Sequence, residues 1–195
     1  MGHTWCEDLD GEFNTIPPWV AHEQRSRSLQ HARDFVWRFL ETLRDRYHWS
    51  LDRVFLFGFS QGASVAFHVA LTAPCRLGGV VLVAGGAVKG PHTKELRRRD
   101  HETPGVLLCG GRDDVFPPSL ADETERQFQA VFHKQDLLTR HVMPSKAHDM
   151  IRSGDEMRVV MEFFSSHLYL RNIALENRSD LIEISMMPAQ RTSHR

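Results

Sequence analysis

Three kinds of side chain fall in an order that could do covalent chemistry in this chain: Ser60, a carboxylate from Asp113 or Asp114, and His148. The serine lies in Gly58-Phe-Ser60-Gln-Gly62, between an apolar run rich in strand formers, Val54 to Phe57, and a helical pattern that follows at once. A serine forced into a tight strand-to-helix turn needs small neighbours two residues either side, because a Cβ there would collide with the crossing strand and helix. Its hydroxyl then projects above a sheet, free to attack a carbonyl carbon. The backbone N–H of Gln61, at the N-terminus of the next helix, points at the oxyanion that would form. The bare spacing is a weak signal, and the strand, turn and helix around it are what make it meaningful. A glycine-flanked turn with an idle serine is the competing reading.

A serine alone is a poor nucleophile; it needs a base, and the base needs a carboxylate to orient it. On a parallel sheet all three groups belong in loops at the carboxyl ends of strands. Asp113 and Asp114 follow the apolar run 105–109, and His148 follows the run 137–143 across Pro144-Ser-Lys-Ala147. That is the order serine, acid, histidine expected after a strand-borne serine. Asp113-Asp114 before Pro117-Pro118 could instead be plain turn chemistry. Among the twelve histidines, His148 alone sits in a post-strand loop beyond the acid: His133 and His167 fall on helices, His141 in a strand, and His92 and His101 precede the acid.

The elements that must hold these residues can be read from periodicity. Apolar residues at Ala32, Phe35/Val36, Phe39/Leu40, Leu43 and Tyr47 predict a helix within 20–47. Residues 53–57, 79–84 and 105–109 read as buried strands, and 137–143 as a strand near the sheet edge. Residues 63–72, 119–132 and 156–170 read as helices, the last with Met157, Val160, Met161, Phe164 and Leu168 on one face. Continuous apolar strands alternating with helices predict an α/β fold, a mostly parallel sheet covered on both faces. Residues 1–170 form the expected domain, and 171–195 a polar tail whose run Leu181-Ile-Glu-Ile-Ser-Met-Met187 could be an added strand. The basic run Lys94-Glu-Leu-Arg-Arg-Arg-Asp100 reads as a solvated face.

A chain of 195 residues, 41% hydrophobic and 25% charged, suits one globular domain. A net charge of −1 gives no field to attract nucleic acid or an anionic membrane. No run is long enough to span a bilayer, and the polar first residues do not read as a signal peptide. Three cysteines without metal or redox spacing point to a reduced, cytoplasmic protein.

With these residues in place, a resemblance emerges. Gly58-Phe-Ser-Gln-Gly-Ala63 resembles the nucleophile signature of the acyl-protein thioesterase/carboxylesterase family, the phospholipase/carboxylesterase group of small α/β-hydrolases. That family's G-x-x-D-x-x-x-P element is matched by Gly110-Gly-Arg-Asp113-Asp-Val-Phe-Pro117. In this register Asp113 is the acid, and Asp114 stands where the family often has proline. The family's Gly/Ala-His loop is matched by Lys146-Ala-His148-Asp, and the likeness covers roughly residues 5 to 168. It implies hydrolysis of small-molecule or acylated-protein esters or thioesters, with no metal or cofactor. The likeness stops at the N-terminus: the family opens with several strands and a His-Gly-rich loop that supplies a second oxyanion N–H. Nothing before Arg53 reads as a buried strand, and there is no H-G-x-G segment. An N-terminally abbreviated fold is therefore expected, with one flank of the strand 53–57 unpaired and with Gly2 or Asp10-Gly11 as stand-in donors.

The leading expectation is a serine hydrolase with Ser60, His148 and Asp113 as catalytic residues and the Gln61 N–H at the oxyanion. Phe59, Trp5 and Phe116 are the expected pocket walls. The alternatives are a non-catalytic binding or regulatory form of the same fold, and a metal-dependent hydrolase built on Asp113, Asp114 and His148. The oligomeric state is left open.

Overall fold

The computed structural model describes residues 4–90 and 97–168. Four strands, β1 (Phe55–Phe59), β2 (Gly79–Val83), β3 (Gly105–Gly110) and β4 (Leu138–Met143), form one sheet in the order β1-β2-β3-β4. Every pairing is parallel, with Leu56 opposite Val80, Val81 opposite Val106 and Leu107 opposite Arg140. Helices α1 (Glu23–Tyr47), α2 (Gln61–Thr72), α3 (Pro118–Phe132) and α4 (Gly154–His167) complete the α/β architecture.

Strand side chains alternate between faces, so each strand serves two cores. Val80, Leu82, Leu107 and Cys109 pack against α2 and α3, where Phe67 and Phe128 are fully buried. Val81, Val83, Val106 and Leu108 face the other way, onto Val160 and Phe163 of α4. Helix α1 packs through Leu29 and Leu40 against Val65 and Val69, on the outer side of α2. Truncating Phe128 would remove the centre of the larger core and cost about 3–5 kcal/mol.

Local chemistry sets where the helices begin and end. The His22 side chain accepts from the Arg25 N–H at the start of α1, and His48 closes that helix in the left-handed conformation, φ 55°. Pro118 opens α3, where the missing N–H is not needed. Ser153 and Glu156 form a reciprocal capping box on α4.

Two expectations about helix faces and one about a strand boundary are corrected. On α4, Met157, Met161 and Leu168 are 46–57% exposed, while Glu156, Val160 and Phe163 are buried. Val160 and Phe164 of the expected stripe do face the core, but the capping box and the inward-turned Glu156 rotate the helix so that the methionines and Leu168 lie outside it. On α1, Phe35, Phe39 and Tyr47 are exposed, because α1 packs through its Leu29–Leu40 side, chiefly on α2. The first strand runs 55–59 rather than 53–57, since Leu51–Arg53 is a turn of 3-10 helix. Its outer edge is unpaired among the described residues, and Phe57 is 45% exposed there. Before α1 the described residues show an isolated antiparallel bridge, Leu9 to Thr15. Of the basic run, Arg97 and Arg98 are exposed, whereas Arg99 donates to the carbonyls of Leu71 and Thr72 at the end of α2. The run Leu181 to Met187 and the rest of the tail lie outside the described residues.

Candidate active site

Ser60 stands between β1 and α2 with φ 53° and ψ −119°, a strained conformation for a residue with a Cβ. The crossing that imposes it is tight. A Cβ on Gly58 would lie 2.4 Å from the carbonyl of Gly62, and one on Gly85 would lie 2.3 Å from the Ser60 carbonyl oxygen. The Ser60 N–H donates to the Val83 carbonyl at 2.9 Å, locking the turn to the end of β2. At the N-terminus of α2 the first N–H groups, that of Gln61 among them, have no carbonyl one turn earlier to bond. A negative charge developing beside this helix terminus would be stabilised by them.

Asp113 and His148 reach the same point from the ends of β3 and β4. Asp113 Oδ1 accepts the N–H groups of Val115 (2.9 Å) and Phe116 (2.7 Å), and the residue is 4% exposed. Asp114, beside it, is exposed. His148 Nδ1 lies 3.0 Å and 3.1 Å from the two Asp113 carboxylate oxygens, and Nε2 lies 2.9 Å from Ser60 Oγ. A carboxylate only accepts hydrogen bonds, so in the neutral imidazole Nδ1 carries the proton and Nε2 is left to accept from the hydroxyl.

The loop carrying His148 is fastened from several sides. Arg112 N–H donates to the Lys146 carbonyl, Lys146 N–H to Met143 and Asp149 N–H to Ala147. A Cβ on Gly110 would lie 2.2 Å from the Lys146 carbonyl oxygen, so glycine lets β3 pass directly under this loop. The Lys146 ammonium pairs with the buried Glu156 carboxylate and donates to the Met150 carbonyl. Glu156 also accepts from the N–H groups of Arg152 (2.7 Å) and Ser153 (2.9 Å). Burial pushes the Glu156 carboxyl up, but the ammonium and these donors outweigh it and hold the group at about 2.

The serine opens onto a cavity of about 90 Å³ lined almost wholly by carbon. Its walls come from Cys6, Ile16 and Pro18 in the N-terminal strap, from Ala84, Gly85 and Val88 after β2, and from Val115 and Phe116 after β3. Burial pushes the Cys6 thiol up to about 11, so it remains a protonated wall residue rather than a rival nucleophile.

Ser60, Gln61, Asp113 and His148 thus meet at one point, and Phe116, 3% exposed, lines the cavity. Phe59 and Trp5 are not among the lining residues. The Phe59 ring packs on the His148 imidazole at 5.2 Å between centroids and joins the α4 side of the sheet, because alternation turns it away from the serine. Trp5 is half exposed, and its indole lies over Gly62 rather than in the cavity. Gly2 falls outside the described residues, and Asp10 and Gly11 form a turn that does not reach the cavity. Among the described residues no group of three or more His, Cys, Asp or Glu side chains is arranged to hold a metal ion. Lys146 and Glu156 escaped the sequence reading, although Ser153-x-x-Glu156 before an apolar run is a helix-start signature that places Glu156 beside the His148 loop.

A strand-borne serine under a histidine and a carboxylate, at the carboxyl edge of a parallel sheet, is the arrangement of an α/β-hydrolase. Solved structures agree on the fold. Esterase PE8 superposes with a TM-score of 0.68 at 21% identity, over 86% of this chain and 71% of that one. A phospholipase/carboxylesterase from Dyadobacter fermentans gives 0.64 at 20% identity, over 75% and 68%. Acyl-protein thioesterase 2 of Zea mays gives 0.57 at 16%, over 85% and 72%. The phospholipase/carboxylesterase family model matches residues 25–168, and the chain belongs to that family. Acyl-protein thioesterase 1 of Kluyveromyces lactis is 27% identical over 123 residues, 62% of this chain and 53% of that protein. The chain therefore spans about half the length of this curated relative.

Proposed function

We propose that the protein is a serine hydrolase that cleaves carboxylic esters or thioesters through an acyl-enzyme on Ser60. The observation that carries the reading is the chain of hydrogen bonds from Asp113 through His148 to Ser60 Oγ, set above a strained serine at the N-terminus of a helix. Ser60 Oγ attacks the acyl carbon while His148 Nε2 takes its proton. Asp113, already bonded to Nδ1, stabilises the imidazolium. The oxyanion is held by the Gln61 N–H, and collapse of the intermediate releases the alcohol or thiol with the proton from Nε2. Water then repeats the sequence on the acyl-enzyme: Nε2 takes a proton from water, hydroxide adds to the acyl carbon, and Ser60 leaves with that proton. The acid product departs and the enzyme is regenerated.

Labelling by a fluorophosphonate probe tests this directly. Labelling of the purified chain that is lost in both Ser60→Ala and His148→Ala is the expected result. A well-folded protein that takes up no probe would refute the hydrolase reading and leave a non-catalytic binding form of the fold.

A further inference from the structure

Gln61 and Arg25 make most of the ties that hold the N-terminal strap against the site, beside the Glu7 N–H to Ser28 Oγ and the Lys89 N–H to the Pro18 carbonyl. Gln61 Oε1 accepts from Thr4 Oγ1 (2.5 Å) and the Trp5 N–H (3.1 Å), while its Nε2 donates to Asp8 Oδ2 (2.6 Å). Arg25, 2% exposed at the start of α1, donates through Nη1 to the carbonyls of Ile16 (2.8 Å) and Pro17 (2.9 Å) and through Nη2 to that of Val20. Its donors are spent on stitching the strap, and although Arg25 and Asp8 both border the cavity, most of the surface they and their neighbours present to it is carbon. Ile16 is 7% exposed and Val88 5%, and both face the cavity that Ser60 opens onto.

The size of that cavity bounds what can enter. A 150 Å³ cavity lined by Leu, Ile and Phe takes up benzene, a six-carbon ring; in proportion, about 90 Å³ accommodates roughly three or four carbons. We infer that the strap is the specificity element of the Ser60 site and that it limits the acyl side of the substrate to short apolar chains, acetyl to butyryl. This inference rests on the hydrolase reading above. A longer acyl chain would have to displace Ile16, and with it a strap fastened at both ends, or leave its distal carbons in water. Either loss discriminates at about the level of one hydrophobic pocket, tenfold or more.

The full chain, assayed on p-nitrophenyl acetate, butyrate, octanoate and palmitate, tests the inference. Expected is a kcat/KM at least tenfold higher for butyrate than for octanoate. Ile16→Ala, which enlarges the cavity, should raise the octanoate-to-butyrate ratio by about tenfold. Val88→Ala enlarges the same space from the opposite wall, so the test survives if the Ile16 variant does not fold. Fluorophosphonate labelling is run on the same preparations to separate two failures. Labelling together with equal or better turnover of octanoate or palmitate overturns the chain-length inference alone, as does a profile that neither variant moves. Neither labelling nor hydrolysis of any ester overturns the hydrolase reading, and this inference with it.

Discussion

The two segments that close over Ser60 are held by different means. The loop 144–149, which carries His148, is fastened by backbone hydrogen bonds, by glycine-close contact with β3 and by the buried Lys146–Glu156 pair. The strap 4–18 is fastened mainly by side chains, those of Gln61, Arg25 and Ser28, with a backbone bond from the Lys89 N–H to the Pro18 carbonyl, and the two bonds Gln61 Oε1 accepts are at the surface. Backbone and buried-charge restraints fix an atom to a few tenths of an ångström, which proton transfer through Nε2 demands. Side-chain ties can be remade without moving the scaffold. The first segment suits chemistry and the second suits selection, so disturbances of the two should appear in different kinetic constants.

On the proposed mechanism the largest effects belong to Ser60, His148 and Asp113. Ser60→Ala and His148→Ala should each lower kcat by about six orders of magnitude, and the double variant by little more, because the pair acts as one unit. Asp113→Asn should lower it by about four orders, since an amide at that position favours the wrong imidazole tautomer. Ester hydrolysis measured on the purified variants checks both, and independent, additive losses would break the mechanism.

Next in size is the anchor beneath the histidine. Lys146→Met leaves the Glu156 carboxylate buried without its cation and should cost about 3 kcal/mol in a urea melt. It should also lower kcat more than it raises KM, because the group displaced is His148. Adding Glu156→Gln should recover part of the stability, since no uncompensated charge then remains. A Lys146 variant that loses stability yet keeps full kcat would show that the loop is over-determined by its backbone bonds alone.

The same pair predicts a pH dependence. The Glu156 carboxyl is held at about 2 in the fold against an ordinary value of 4.5, so the unfolded chain binds its proton more readily. Its contribution is complete above pH 4.5 and is lost as pH falls from there toward 2, to a limit of about 3 kcal/mol. Urea midpoints of the native chain should fall across that window, and Glu156→Gln should flatten the slope. An equal slope in both proteins would assign the acid sensitivity to other carboxylates.

What was legible in the sequence follows the same division. The strand-to-helix turn at Ser60 could be read because each of its requirements is local: an apolar strand, a glycine two residues either side of the serine, and a helix directly after. Asp113 and His148 could be read because a parallel sheet sends every strand end to one edge, so position after a strand substitutes for contact. Arg25 could not be read, since a charged residue at the start of an amphipathic helix looks like solvent-facing surface until the carbonyls of Ile16, Pro17 and Val20 are found around it. The ties from Gln61 to Thr4, Trp5 and Asp8 span more than fifty residues and leave no periodic trace. Phe59 is expected in the pocket because its neighbour on the chain is Ser60, while strand alternation sends its ring to the opposite face.

The smallest predicted effect is the most direct test of the contrast. Thr4→Val removes the hydroxyl whose single proton lies between Gln61 Oε1 (2.5 Å) and the Cys6 carbonyl (2.9 Å), a hydrogen bond within the strap's tie to Gln61 worth about 0.5–1.5 kcal/mol. Spent on holding a cavity wall, that energy should appear as a two- to tenfold rise in KM for butyrate, with kcat within twofold and an unchanged urea midpoint. The Gln61 N–H stays in place in this variant, so oxyanion stabilisation is untouched. If kcat falls while KM holds, the strap is aligning the Gln61 backbone itself, and both segments then serve the chemical step. Substrate selection would have to come from Val88 and Phe116 instead, on the walls that the strap does not build.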